Sequence, residues 1–501
     1  MSNKDLGKGA VYLYIETMAT MFSGYIIWLM LTKITTTEVI GTSSAVLSMS
    51  GIFTTVVILG VPNGVQRFLA KSFADQRMED VKIFIVTSLL LVSVAVLVCT
   101  IGMFLSSEWI TKTFRIDASL IIISIIFVAT SAVATLLRSM VIATLKTKIL
   151  PIVSIASTIV KLVGTISLIY FDMRALGVTI GFTLYPLVSS IILAISIFLM
   201  IGKESIKSKM YKREVSLRSA CEVILTASMA SWVPGLIATV GTQLGLIIVL
   251  GWHGAGQAGV YAICFSIVTG LSSGISVLSS IAFPALSAMI DGRKRFAWRI
   301  MKMSLTISLP FSSSLVFYSA QVMSMFGPDY IEGSSILGIL LLSMLPTSVA
   351  GTINTLAYSY GNYKQVLAIG LASTIPRILF YFILVPIYGG VGAALSYSAG
   401  SIVVFIISLI IAKKIGMKLF WKDLTFLFII PIGISFMLSQ IGVNYIVGII
   451  VTIFLSYVLF LKMLILDRTD VQDVLGILPT SVSTPTIGII TKIGRKLNRS
   501  F

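Results

Sequence analysis

Charge and cysteine are both scarce in this sequence. Only 11% of its 501 residues are Asp, Glu, Lys or Arg, against roughly a quarter in soluble domains, which excludes a chain folded for water on all sides. Three cysteines, Cys99, Cys221 and Cys264, lie within or beside apolar runs. That placement excludes a disulfide framework and leaves them as small buried hydrophobes. One histidine, His253, and no CxxC or HExxH pattern exclude zinc or iron chemistry. The short alternating segments of a membrane β-barrel are missing as well. Nor does the start read as a cleavable leader, because its first apolar run carries Glu16, is too long and lacks an A-x-A site.

What is present is apolar length. The chain is 57% hydrophobic with a mean hydropathy of +1.03, and runs of about 20 residues recur, each long enough to cross a ~30 Å hydrocarbon core as helix. They fall at 10–32, 39–60, 81–106, 118–142, 149–170, 176–201, 219–250, 258–290, 299–325, 333–358, 365–386, 391–412, 424–441 and 444–465. The expected fold is an all-α polytopic membrane protein of about 14 transmembrane helices.

The net charge of +18 follows topology. With the N-terminus inside, 31 of the 37 Lys and Arg residues lie on the inner side, and only Lys33, Lys112, Arg115 and Arg174 on the outer. Such asymmetry places both termini in the cytoplasm of a plasma-membrane protein. The basic excess then meets anionic lipid headgroups, each contact worth ~1 kcal/mol, and no nucleic acid is implied.

The chain repeats itself. "ATLKTKILPIVSIASTIVKLVGTISLIYFDMRALGVTIG" matches "AYSYGNYKQVLAIGLASTIPRILFYFILVPIYGGVGAAL" in residue class, with a one-residue slip before Gly177 and Gly392. Upstream, Gly41 answers Gly259 and Pro62 answers Pro284. Each copy holds six spans, an even number, so the repeats run parallel about an axis along the membrane normal. The expected parts are an N-terminal lobe (1–202), a basic cytoplasmic linker (203–218), a C-terminal lobe (219–412), two added transmembrane helices (413–466) and an interfacial cytoplasmic tail (467–501).

The two remaining cations occupy equivalent places in the repeat: Lys161 in "IASTIVKL" and Arg377 in "LASTIPRI". A base near the bilayer centre costs ~2.5–3.5 kcal/mol and so faces protein or a wet cavity. Ser154, Ser157, Thr158 and Thr165 share a helical face with Lys161, as Gly370, Ser373, Thr374 and Tyr381 do with Arg377. Tyr12, Glu16, Thr20 and Ser23 form a third such stripe. Two readings stay open: a buried ion pair such as Glu16 with Lys161 that locks helices, or the lining of a translocation cavity, which the repeat favours. Arg138, near the inner end of its span, fits a cavity wall or the interface. Gln243, Asn354 and Tyr358 lie on polar stripes that serve either helix packing or cavity lining.

"LGVPNGVQRFLAK", "AGVYAICFSIVTGLSSGISVLSSIAFPALSAM" and "STIPRILFYFILVPIYGGVGAALSYSAG", set in a six-plus-six-plus-two pattern, carry a family resemblance over about residues 5–465. The chain resembles the polysaccharide/oligosaccharide flippases of the multidrug/oligosaccharidyl-lipid/polysaccharide (MOP) exporter superfamily. The resemblance implies two six-helix bundles forming a V, no catalysis and no cofactor. It implies movement of a polyprenyl-pyrophosphate-linked glycan from the inner to the outer leaflet by alternating access, through a cationic cavity that Lys161 and Arg377 would match. A coupling ion, proton or sodium, is left open. The expected partners are the lipid-linked glycan, membrane lipids and enzymes of polysaccharide assembly, with the chain itself a monomer. The rivals are a multidrug exporter, which usually needs acidic sites, and a membrane enzyme of polysaccharide assembly. For the enzyme, the longest outer loop (107–117) is too short to build an extramembrane site. A facilitator-type sugar transporter would carry a GxxxDRxGRR-like loop where this chain has "AKSFADQRMEDVK".

Overall fold

The structure, a computed structural model, describes residues 3–114, 116–144, 146–207 and 216–467, with 470, 472 and 488. Residues 208–215 of the basic linker and nearly all of the tail lie outside the described residues. Among the described residues every regular element is helical. The chain divides into two compact units, Met1–Gly259 and Val260–Phe501.

The first unit holds α1 (Asn3–Ile34), α2 (Thr37–Ile58), α3 (Val61–Ala74), α4 (Met78–Leu105), α5 (Ser107–Phe114), α6 (Ala118–Ala143), α7 (Ile149–Tyr170), α8 (Arg174–Lys207) and the first part of α9 (Leu217–Ala288). The second holds the rest of α9, then α10 (Arg293–Phe317), α11 (Ser319–Ser324), a 3₁₀ turn (Pro328–Gly333), α12 (Ser334–Leu342), α13 (Met344–Ser359), α14 (Tyr363–Ile415), α15 (Trp421–Gln440) and α16 (Tyr445–Lys462).

Twelve helical segments among the described residues are long and apolar enough to cross a membrane. Two of them, Ser231–Gly274 and Tyr363–Ile415, would be about 66 and 80 Å long as straight helix, more than twice the hydrocarbon core. Each is broken by a glycine outside helical geometry, Gly254 (φ 81°, ψ 179°) and Gly389 (φ 57°, ψ −130°). Both positive φ values suit a residue without a Cβ. Counted with those breaks, the spans agree with the expected fourteen.

Local chemistry sets the boundaries. Thr36 caps α2 by accepting the Val39 N–H at 3.4 Å, and Asn444 caps α16 by accepting the Ile446 N–H at 3.0 Å. Gly60 (φ 67°) ends the turn into α3, where a Cβ would lie 2.6 Å from the Ser228 carbonyl oxygen, and Pro62 opens the new helix. Trp232 Nε1 donates to the Thr55 carbonyl at 2.8 Å and Asn63 Nδ2 to Ser231 Oγ at 2.9 Å, fixing the start of α9 against α2 and α3. Hydroxyls inside the spans are satisfied locally: Thr54, Thr165 and Thr183 donate to carbonyls four residues back at 2.8, 2.6 and 2.8 Å.

Helix α7 is apolar outward and polar inward. On α7, Ile152, Ile155, Ile159 and Val163 are exposed while Ser154, Ser157, Lys161 and Thr165 are buried. A chain with hydrocarbon as its surroundings partitions this way, because lipid gives apolar side chains no reason to go inside. The two added helices, α15 and α16, pack with α10 in one apolar core that includes Trp298, Leu305, Leu427 and Phe460. Ser435 meets Ser313 at 3.5 Å and Thr452 at 3.3 Å there, and Gly448 lies so close to the Tyr318 hydroxyl that a Cβ would sit 2.3 Å from it. Beyond α16, Asp470 pairs with Lys302 and, at 3.6 Å, with Arg299, tying the chain back to α10.

Candidate functional site

Helices α7 and α8 form a tight hairpin. A Cβ on Gly181 would lie 2.0 Å from Thr165 Oγ1, and one on Gly177 about 3.1 Å from Leu168. The close approach brings the α8 aromatics onto the buried face of α7. Lys161 lies twelve residues into its helix, about 18 Å deep, and is 8% exposed. Its Nζ sits 4.8 Å from the Phe182 ring centroid and 5.3 Å from that of Tyr185.

The halves of α14 fold on one another in the same manner about Gly389. A Cβ on Gly392 would lie 2.2 Å from the Leu384 carbonyl oxygen, and one on Gly400 2.5 Å from that of Ser373. Arg377, 4% exposed, stacks its guanidinium 3.9 Å from the Tyr397 ring centroid and reaches Ser401 Oγ at 3.5 Å. Its Nε has no hydrogen-bond partner among the described residues. Leu168 answers Leu384 at the spacing of 216 that relates Lys161 to Arg377, while Phe182 answers Tyr397 at 215, the slip that also relates Gly177 to Gly392. The repeat therefore copies a base, the ring beneath it and the glycine that lets them meet. A cation–π contact returns about 1–2 kcal/mol when desolvated, which offsets much of the insertion cost of the base.

Glu16 does not pair with Lys161. Both oxygens are taken by Arg138, Oε1 accepting from Nε and Oε2 from Nη2, each at 2.8 Å. This corrects the ion-pair expectation: the fork of a guanidinium matches a carboxylate better than an ammonium does, and Arg138 of α6 lies beside α1 at that level. Lys161 has no acidic partner among the described residues. Glu16, Arg138 and Lys161 line one cavity of about 300 Å³ in the first unit, together with Ser131, Thr135, Tyr185 and Ser189. Thr20 and Ser154 share a hydrogen bond at 2.9 Å beside it, and Ser154 meets the Tyr185 hydroxyl at 3.4 Å. Arg138 keeps 42% of its side chain exposed, so it can present N–H groups while holding Glu16.

The sequence profile of the polysaccharide biosynthesis proteins matches residues 6–290, more than half the chain. The chain belongs to that family. Its fold is similar to that of "Lipid II flippase MurJ, inward closed conformation", with a TM-score of 0.64 at 17% identity over 91% of this chain and 100% of that one. It is also similar to the inward-facing conformation of a multidrug resistance MATE family transporter of the MOP superfamily, with a TM-score of 0.61 at 14% identity over 81% and 98%. A search among curated proteins gives no match. Its spans make this a multi-pass membrane protein of the polysaccharide biosynthesis family, with a fold shared with those two transporters.

In this family member the other sequence-derived residues are scattered. Ser157 is fully buried with its hydroxyl unpartnered among the described residues. Tyr12 lies half-buried one turn before Glu16. In the second unit Ser373 donates to the Gly370 carbonyl at 2.8 Å, and Tyr381 is fully buried one turn beyond Arg377. Asn354 keeps a buried Oδ1 without a partner among the described residues, and Gln243 packs near Gly51. The stacking rings, Phe182, Tyr185 and Tyr397, were not anticipated. The duplication already held the signal, because Phe182 and Tyr397 align across the one-residue slip, but a search for polar stripes passes over aromatics.

Proposed function

We propose that this protein flips a lipid-linked saccharide carrying a phosphate or pyrophosphate, moving its head from the inner to the outer leaflet by alternating access. The observation that carries the reading is the pair Lys161 and Arg377: repeat-related, deep in the spans and without acidic partners among the described residues. Charges held this way keep their electrostatic valence for a visiting anion. Arg offers a planar fork and Lys a mobile point charge, both suited to phosphate oxygens. Arg138 supplies further N–H donors in the same cavity as Lys161. With a negative cell interior, outward movement of an anion is downhill by ~2.3 kcal/mol per charge per 100 mV.

A multidrug exporter of cationic compounds is less well supported, since the Glu16 carboxylate is committed to Arg138. The role is transport without bond chemistry, with enzymes of polysaccharide assembly as the source of its cargo. The test is a flipping assay in proteoliposomes with a fluorescent polyprenyl-pyrophosphate oligosaccharide. Lys161→Gln with Arg377→Gln is expected to insert normally and lose flipping, whereas Lys161→Arg retains a substantial part. Unchanged flipping in the double variant would reject the anion site.

A further inference from the structure

Glu16 has a partner but no part in the transport proposed for its cavity. A clamp between α1 and α6 does not call for charge, since well-packed apolar side chains of similar volume often hold helices at least as firmly as a buried ion pair. Yet Glu16 and Arg138 both line the Lys161 cavity, where they are two of the three charged residues. The duplication sharpens the question. At the spacing of 216 that joins Lys161 to Arg377, Arg138 answers Asn354, and the stretch answering Glu16 is Trp232, Val233 and Pro234. The second copy therefore lacks the acid and its arginine together. With two bases and an acid in the first copy and one base in the second, both end with a single net positive charge at these positions.

The guanidinium is only partly used. Glu16 takes the Nε–H and one Nη2–H. The other Nη2–H and both Nη1–H groups, the end-on fork, remain on a side chain that is 42% exposed. An anion entering the cavity meets that free edge with Glu16 already offsetting the charge behind it. Without Glu16 the same anion would face a whole guanidinium and an ammonium in a low-dielectric pocket, where attraction is strong. A transport site must bind well enough to be entered and weakly enough to be left. We infer that Glu16 is a counter-charge built into the anion site, weakening the hold of Arg138 on the cargo phosphate so that the head is released. This rests on the flippase reading and adds the residue that sets how tightly the head is held. Both Glu16 oxygens stay on Arg138, so it is a positioning residue that acts through that side chain and not on the cargo itself.

Two measurements on the full-length protein test this: binding of polyprenyl pyrophosphate in detergent, and flipping of the fluorescent polyprenyl-pyrophosphate oligosaccharide in proteoliposomes. Glu16→Gln is expected to bind the pyrophosphate about tenfold more tightly than the native protein. Its flipping should half-saturate at a lower substrate concentration while the maximal rate falls, a split that a merely loosened fold would not give. Should Glu16→Gln not fold, Glu16→Ala removes the same charge and carries the same expectation. Adding Arg138→Gln returns the cavity to one net positive charge, and the tightening should vanish. Unchanged or weaker binding by the folded single variant, an undiminished maximal rate, or a tightening that persists in the double variant overturns the inference. Comparison with uncharged polyprenol separates the two readings. A native protein that binds polyprenol and its pyrophosphate equally rejects the flippase reading, whereas a native preference for the pyrophosphate that Glu16→Gln leaves unchanged rejects the counter-charge alone.

Discussion

At the scale of single residues, the protein keeps bases in the membrane by giving them rings. Arg377 on Tyr397 makes the point most sharply, because its Nε has no hydrogen-bond partner among the described residues and its side-chain bond to Ser401 is long. Tyr397→Phe keeps the π face and is expected to be nearly neutral. Tyr397→Leu removes it and is expected to lower stability by about 1–2 kcal/mol, read as a drop in thermal unfolding temperature in detergent. Equal behaviour of the two variants would mean that the ring serves only as bulk. The Glu16–Arg138 pair obeys different rules. Arg138→Gln leaves a mostly buried carboxylate alone and should cost about 2–3 kcal/mol, somewhat under the figure for fully buried pairs because Arg138 is partly exposed. Glu16→Gln added to it should restore most of that loss, and strict additivity in the double-mutant cycle would contradict a direct pair.

At the scale of elements, the repeated unit is a helical hairpin closed by glycine. Gly181→Val drives a side chain into Thr165 and Gly400→Val drives one into the Ser373 carbonyl, so each should loosen its hairpin and lower the unfolding temperature by several degrees. Gly351→Ala, at a helical position with nothing within 4 Å, should be neutral or slightly stabilising. Much of this was legible in the sequence. The duplication aligned Gly177 with Gly392 and Lys161 with Arg377, and the polar stripe on α7 is the face the fold buries. What stayed hidden were matters of partner and direction. A stripe says which way a residue points on its own helix, but not that Glu16 meets Arg138 across α1 and α6 before it meets Lys161. Hydropathy alone also passes over α3 and α5, whose polar residues dilute their apolar faces; both are amphipathic helices that complete the first unit.

At the scale of the whole molecule, charge asymmetry predicts how the chain is threaded, with both termini inside. Cysteines placed at Lys112 and Arg174, both highly exposed, should react with a membrane-impermeant maleimide added outside intact cells. Cysteines at Lys82 and Lys364, also exposed, should react only after permeabilisation. The reverse pattern would invert the topology and, with it, the direction of transport. The second unit carries more than its copy of the repeat, since α15 and α16 share the α10 core and Asp470 closes the chain onto Lys302 and Arg299. Nothing in the duplication foretold where these helices would pack, because they have no counterpart in the first copy to align with.

The claim on which the rest depends is that Lys161 and Arg377 recognise phosphate. The most direct measurement compares binding of polyprenyl pyrophosphate and of the uncharged polyprenol to the purified protein and to Lys161→Gln with Arg377→Gln. Each charge-assisted contact is worth about 1.5–3 kcal/mol, so the native protein should prefer the pyrophosphate by roughly a hundredfold or more. The double variant should lose most of that preference while binding polyprenol as before. An undiminished preference in the variant would contradict the account.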